Sequence, residues 1–204
     1  MGALVVLGAV ASFAVSAIAD LDKYKPEIEK SFEDATGYKL AVNGDIGVSL
    51  FPLPKAYVEG VVISNGAKQL VSVDRIHVYP ELIPLLSGEK KISSIVVKDP
   101  IITLEKSATG NSWAKPPRAE QPKTEGAKSN LTIDSIEIDG GKLQYTDVTS
   151  GKSHVLDKIE MNASLASMIG PLNVSGDVEY NGLPLEIKAS VNNFDQPKIF
   201  ADVK

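Results

Sequence analysis

Apolar and polar positions along this 204-residue chain change rhythm twice. From Met1 to Asp20 no charged side chain interrupts the run, and Leu4, Val5, Val6, Leu7, Val10, Phe13, Val15 and Ile18 stand among Ala, Gly and Ser. As a helix, Gly2 to Ala19 would reach about 27 Å at about 1.5 Å per residue, close to the roughly 30 Å hydrocarbon thickness of a bilayer. One reading is a transmembrane anchor. The other is a secretory signal peptide, because Ala17-Ile18-Ala19 offers a small-x-small cleavage pattern before Asp20, although the first basic residue is Lys23. Either one exports the remainder.

From Asp22 to Thr36 the spacing is helical. Tyr24, Ile28, Phe32 and Ala35 form one apolar stripe, and Glu27, Glu29, Glu33 and Asp34 cover the opposite face. Asp20 or Asp22 is placed to cap the helix, Pro26 falls in its first turn and Gly37 ends it. This predicts an amphipathic helix lying on a sheet. The period then becomes two. Strands are expected at Tyr38–Leu50 with a turn or bulge at Asn43-Gly44, then Tyr57–Ser64, Val71–Tyr79, Ile92–Val97 and Ile101–Leu104. A short helix or turn is expected at Glu81–Leu86, and Phe51-Pro52-Leu53-Pro54 and Asp99-Pro100 break pairing. Further strands follow at Leu131–Ile138, Lys142–Asp147, Val155–Leu165, Leu172–Tyr180, Leu183–Val191 and Lys198–Val203, with turns at Gly140-Gly141, Ser150-Gly151 and Asn181-Gly182.

Between these blocks, residues 114–129 hold three prolines, many charges and no large apolar side chain, which predicts a flexible linker or loop. The chain therefore divides into a membrane segment (1–19), a helix with a first β section (20–113), the linker, and a second β section (130–204). An internal repeat joins the two sections. Ile92-Ser-Ser-Ile95-Val-Val97 matches Ile133-Asp-Ser-Ile136-Glu-Ile138 at an offset of 41, and Gly110 falls on Gly151 in the same register. Val73-Asp-Arg-Ile76 matches Leu156-Asp-Lys-Ile159 at an offset of 83. Such repeats describe strand groups that bury their apolar faces by stacking on one another.

So many one-sided strands need a cover, and one helix is too small. A second sheet would give a closed β-sandwich. An open, curved sheet whose apolar groove is filled by acyl chains is the alternative. The lining it would use is Val42, Ile46, Val48, Leu50, Val61, Ile63, Val97, Ile101, Leu143, Val174, Val178 and Ile187. All are aliphatic, which suits a slippery track more than a specific pocket.

Composition narrows the chemistry. A net charge of −5 with no basic stripe argues against nucleic acid, and 6% aromatics without clustering give bases or sugars little to stack on. Zero cysteines leave the redox compartment open. His77 and His154 are the only histidines, and there is no HExxH, GxSxG or glycine-rich phosphate loop, so the expectation is a non-enzyme with no metal and no cofactor. Trp113 reads as a packing plug after the Gly110-Asn111-Ser112 turn.

Several ordered segments carry a family resemblance. Asp22-Lys-Tyr24-Lys-Pro26, Ala35-Thr36-Gly37 and Gly44-Asp45-Ile46 through Leu50-Phe51-Pro52 resemble the N-terminal region of AsmA-type proteins. Leu85-Leu86-Ser87-Gly88, Asp99-Pro100-Ile101, Gly110-Asn111-Ser112-Trp113, Gly141-Lys-Leu143-Gln-Tyr145 and Asn181-Gly182-Leu183-Pro184 continue it. The resemblance implies a single-pass protein of the bacterial inner membrane, anchored through residues 2–19, with its bulk in the periplasm, as a section of a longer protein, a short member joining an assembly, or a part that loads lipid for others. It further implies an elongated, curved antiparallel repeat sheet like that of bridge-like lipid-transfer proteins, with phospholipids as partners and outer-membrane assembly as the process served. A structural rival is a tethered β scaffold that binds envelope proteins through the Lys198–Val203 strand edge.

Overall fold

A computed structural model describes residues 21–81, 84, 91–114, 132–165, 171–191 and 199–203. The expected membrane segment (1–19) lies outside these residues, as do the linker beyond Ala114 and the 81–86 turn apart from Glu81 and Pro84. Among the described residues no helix is long and apolar enough to cross a membrane.

A 3-10 turn, Leu21–Tyr24, leads into helix α1, Lys25–Thr36. Ile28 and Phe32 are buried and Tyr24 and Ala35 half-buried, as the stripe requires. The start differs from expectation. Tyr24 occupies the N-cap without a side-chain bond. Asp22 is too early to cap and instead accepts the Ile46 N–H at 3.1 Å and pairs with Lys25 at 2.9 Å. The helix closes at Gly37, whose N–H donates to the Glu33 carbonyl at 2.7 Å. Glu29 accepts the Val42 N–H at 2.8 Å, a second tie between helix and sheet.

Twelve strands form one sheet among the described residues. They are β1 (Lys39–Val42), β2 (Ile46–Ser49), β3 (Lys55–Asn65), β4 (Lys68–Pro80), β5 (Lys91–Lys98), β6 (Ile101–Ser107), β7 (Gly110–Asn111), β8 (Thr132–Asp147), β9 (Lys152–Leu165), β10 (Leu172–Tyr180), β11 (Leu183–Val191) and β12 (Ile199–Val203). The order is β1-β3-β4-β5-β8-β9-β10-β11-β12, with β2 continuing β1 along β3 and β6 continuing β5 along β8. One sheet thus spans both expected β sections, and the described strands form no second sheet to make a sandwich.

The 41-residue repeat is a physical pairing. Ile92, Ile95 and Val97 lie beside Ile133, Ile136 and Ile138 in parallel register, and Ile102 to Lys106 lie beside Leu143 to Asp147 at the same offset. The expected all-antiparallel sheet is corrected here, because stacked copies of one unit run in the same direction. The segments matched at offset 83 fall on β4 and β9, which also run in the same sense, on either side of this parallel pair.

Gly140-Gly141 is not a turn, as expected, but part of the continuous strand β8. It belongs to a crease that runs through β3, β4, the β5–β6 junction, β8 and β9. On β3 the apolar positions are Ala56 and Val58, then Val61 and Ile63; on β4 they are Val71 and Val73, then Ile76 and Val78. The alternation slips by one residue at Gly60 and at Asp74-Arg75. It slips again at Asp99-Pro100, at Gly140-Gly141 and at Lys158, which neighbour one another across the sheet. Gly60 (φ +61°), Asp99 (φ +48°), Gly140 (φ +75°) and Lys158 (φ +47°) are left-handed there. A single left-handed residue rotates the strand enough to change the alternation, as in a bulge. Glycine is needed at position 60, where a Cβ would sit 2.9 Å from the Gly44 nitrogen, and at position 140, where it would overlap the Asp99 carboxylate. Val58 and Val61 both belong to the same buried cluster despite their opposite parity, so the slip returns apolar side chains to one face.

Candidate functional site: the apolar face of the sheet

Residues paired across strands project to the same face, so register identifies what each face presents. One row runs Val48, Ala56, Val78, Ile95, Ile136, Ala163, Val174 and Ala189. The next runs Ile46, Val58, Ile76, Val97, Ile138, Met161, Gly176 and Ile187. Beyond the crease a third runs Leu40, Ile63, Val71, Ile102, Leu143, Leu156, Tyr180 and Leu183. On β10 and β11 the crease has ended, and the even residues 172–180 and odd residues 183–191 put all three rows on one face. No charged residue interrupts any row. Eight strands at about 4.8 Å spacing carry each row about 34 Å.

Ten of the twelve nominated lining residues have places on this face. Val48 and Val174 share the first row, Ile46, Val97 and Ile187 the second, Ile63 and Leu143 the third, and Val42 and Val61 pair beside Val73. Val178 pairs with Leu185 in the same phase. The other two do not. Leu50 lies past the end of β2 and is 69% exposed, because Pro52 and Pro54 end the ladder. Ile101 pairs with Ser72 and Lys142 and is 47% exposed; after the slip at Asp99-Pro100 its neighbour Ile102 takes the apolar side. Ile76, Ile95, Ile136, Ile138 and Leu156 are among the further residues of the rows. The 41-residue repeat contained the signal for Ile95, Ile136 and Ile138.

Burial is graded along the rows. Val78, Ile92 and Ile95 are essentially inaccessible, and with Ile28, Phe32, Val58, Val61 and Ile133 they form the core. From Ile136 onward the row residues are half-buried, apart from Leu183 at the edge of the third row, which is exposed, while Val178 in the same phase is buried. The opposite face is charged. Glu59, Arg75, Lys98 and Asp139 are successive cross-strand partners; Arg75 pairs with Glu59 at 2.7 Å, and Lys98 with Asp139. Lys142 meets Asp157 at 3.0 Å, and its hydrogen bond holds that carboxyl below the usual carboxylate range. Exposed pairs of this kind add little stability but keep one face wet.

An aromatic ladder rims the apolar face at the β8–β9 and β10–β11 turns. Trp113, Tyr145, His154 and Tyr180 follow at ring separations of 6.0, 6.3 and 6.0 Å, and His154 Nδ1 lies 2.7 Å from the Tyr180 hydroxyl. Trp113 therefore packs on Tyr145, and its carbonyl accepts the Tyr38 hydroxyl at 2.8 Å. His77 is buried on β4, and burial, with Lys55, Arg75 and Lys98 around it, pushes its imidazole pKa down. Among the described residues no group of three His, Asp or Glu side chains is placed to hold a metal ion.

The model of the AsmA family matches residues 1–195, which includes β1 through β11. No curated protein matches the chain.

Proposed function

Because this chain belongs to the AsmA family, we propose that it handles phospholipid without catalysis, in the periplasm beside the bacterial inner membrane. Membership is consistent with envelope-related lipid handling. In this reading acyl chains lie along the apolar rows, and the anchored N-terminal run holds the protein where lipid leaves the bilayer. The observation that carries it is the in-register apolar face, which continues over β8 to β11 past the strands that α1 contacts, β1 above all. Hydrocarbon on such a face gains about 0.8 kcal/mol per buried CH2, so one chain of ordinary length offsets its removal from the bilayer only over a long, unbroken lining. The Glu59, Arg75, Lys98 and Asp139 side chains on the other side favour the uncharged rows as the place for lipid.

The test is photocrosslinking in intact envelopes. A crosslinking residue at Val174, on the first row, should capture phospholipid, whereas one at Asp177, on the opposite face, should not. Capture at neither position, with no phospholipid in native mass spectra of the purified protein, overturns the proposal. A second reading, strand addition by an envelope protein, rests on β12, which pairs only with β11 among the described residues. Crosslinks from β12 to protein, with none from Val174 to lipid, would favour it.

A further inference from the structure

Leu50, Phe51 and Leu53 are 69%, 86% and 63% exposed, three large apolar side chains within four residues. Isolated exposed apolar residues are ordinary, but a cluster of this size on a protruding loop marks a surface that meets something apolar. The loop joins β2 to β3 and is shaped from within, since the Ser49 hydroxyl donates to the Phe51 carbonyl at 3.0 Å.

Its position names the partner. Asp22 is fastened to Ile46, and Leu50 follows four residues later, about 13 Å along the strand. Helix α1 then runs away from the loop, toward the Thr36–Tyr38 end of β1. Leu21, the first described residue, therefore lies on the loop side of the sheet. Lys23, exposed, and Lys55, at the base of the loop, place two cations on the same side. Apolar side chains at a tip with cations behind them match a bilayer with anionic headgroups, where the tip enters hydrocarbon and the ammonium groups stay with phosphate. The row that begins at Val48 starts next to this loop.

We propose that the Leu50–Leu53 loop inserts into the lipid bilayer, so that the apolar face begins at the membrane surface. The inference rests on the reading that the chain works at a membrane, but it assigns that contact to residues outside the N-terminal run.

The chain has no cysteine, so an introduced one is unique. The full chain carrying Phe51→Cys, or Ala67→Cys in the exposed turn at the opposite end of β3, is labelled with an environment-sensitive fluorophore. Each is reconstituted in vesicles of phosphatidylethanolamine and phosphatidylglycerol with and without doxyl lipid. The label at position 51 should be blue-shifted and quenched several-fold more than that at position 67, and Lys55→Glu should reduce the quenching. Leu53→Cys repeats the measurement from a second site. Emission at 51 and 53 equal to that at 67 overturns the inference. So does a blue shift without quenching, which would mean that protein, whether residues 1–19 or a second copy, covers the loop. Quenching at 51 without lipid capture at Val174 supports insertion and removes only the lipid-handling reading; capture at 174 with wet labels at 51 and 53 does the reverse.

Discussion

Replacing Ile95 and Ile187, separately, with Asp asks whether the apolar face has a roof at its far end. The two residues lie in adjacent rows, so chemistry and strand context are matched. Ile95 is 0% exposed. Losing its burial costs about 1.5–3 kcal/mol, and a carboxylate left in that core costs several kcal/mol more. The total exceeds about 5 kcal/mol, the lower bound of ordinary domain stability, so Ile95→Asp should not fold. Ile187 is half-buried between Gly176 and Val203. Its replacement forfeits roughly half the transfer term, about 1 kcal/mol, with up to about 1 kcal/mol more for the poor strand propensity of Asp. A loss near 2 kcal/mol leaves a folded protein whose track is broken by a charge. Urea titration followed by circular dichroism measures the first quantity, and phospholipid co-purifying with the native chain and with Ile187→Asp measures the second. If Ile187→Asp unfolds the chain as completely as Ile95→Asp, the far rows are roofed by protein and the open face is refuted. If Ile187→Asp folds and carries an undiminished lipid load, these rows are not the track.

Two further outcomes follow from the crease and from His77. Gly140→Ala places a methyl group at a left-handed position against Asp99 and should cost about 1–3 kcal/mol by urea denaturation; Asp99→Gly in the same chain should recover part of that loss. His77 is held neutral by burial, so its folded pKa lies below its unfolded value. Its contribution to stability is complete above about pH 6.5 and is lost as pH falls through the folded pKa. Thermal melts should therefore fall from pH 7 toward pH 5, and His77→Gln should flatten that slope. The lowered carboxyls Asp22, Asp147 and Asp157 lose their contributions only at lower pH, below about 4.

Local rhythm was sufficient for the elements. Ile28 and Phe32 had to share a helix face, and Leu172, Val174, Val178 and Tyr180 had to share a strand face, because the periods of 3.6 and 2 are properties of the backbone. The repeat between Ile92–Val97 and Ile133–Ile138 also lay open in the order of residues. Its meaning did not. Similar segments can stack, pair head to tail or sit apart, and only the assembled sheet set them side by side in parallel. Register decided the rest. Period two tells which residues of one strand agree in direction, but it carries no information across a left-handed residue or from one strand to the next. Ile101 and Ile102 were equally good candidates until the slip at Asp99-Pro100 turned the second inward. Gly140-Gly141 had the composition of a turn and became a bend because β9 pairs on both sides of it. Leu50 matched the alternation of Ile46 and Val48, yet no strand lies beside it to share its face. Composition along the chain thus specified the helix, the strands and their apolar positions. The tertiary pairing alone brought those positions into rows, because a common face is a relation between strands and not a property of any one of them.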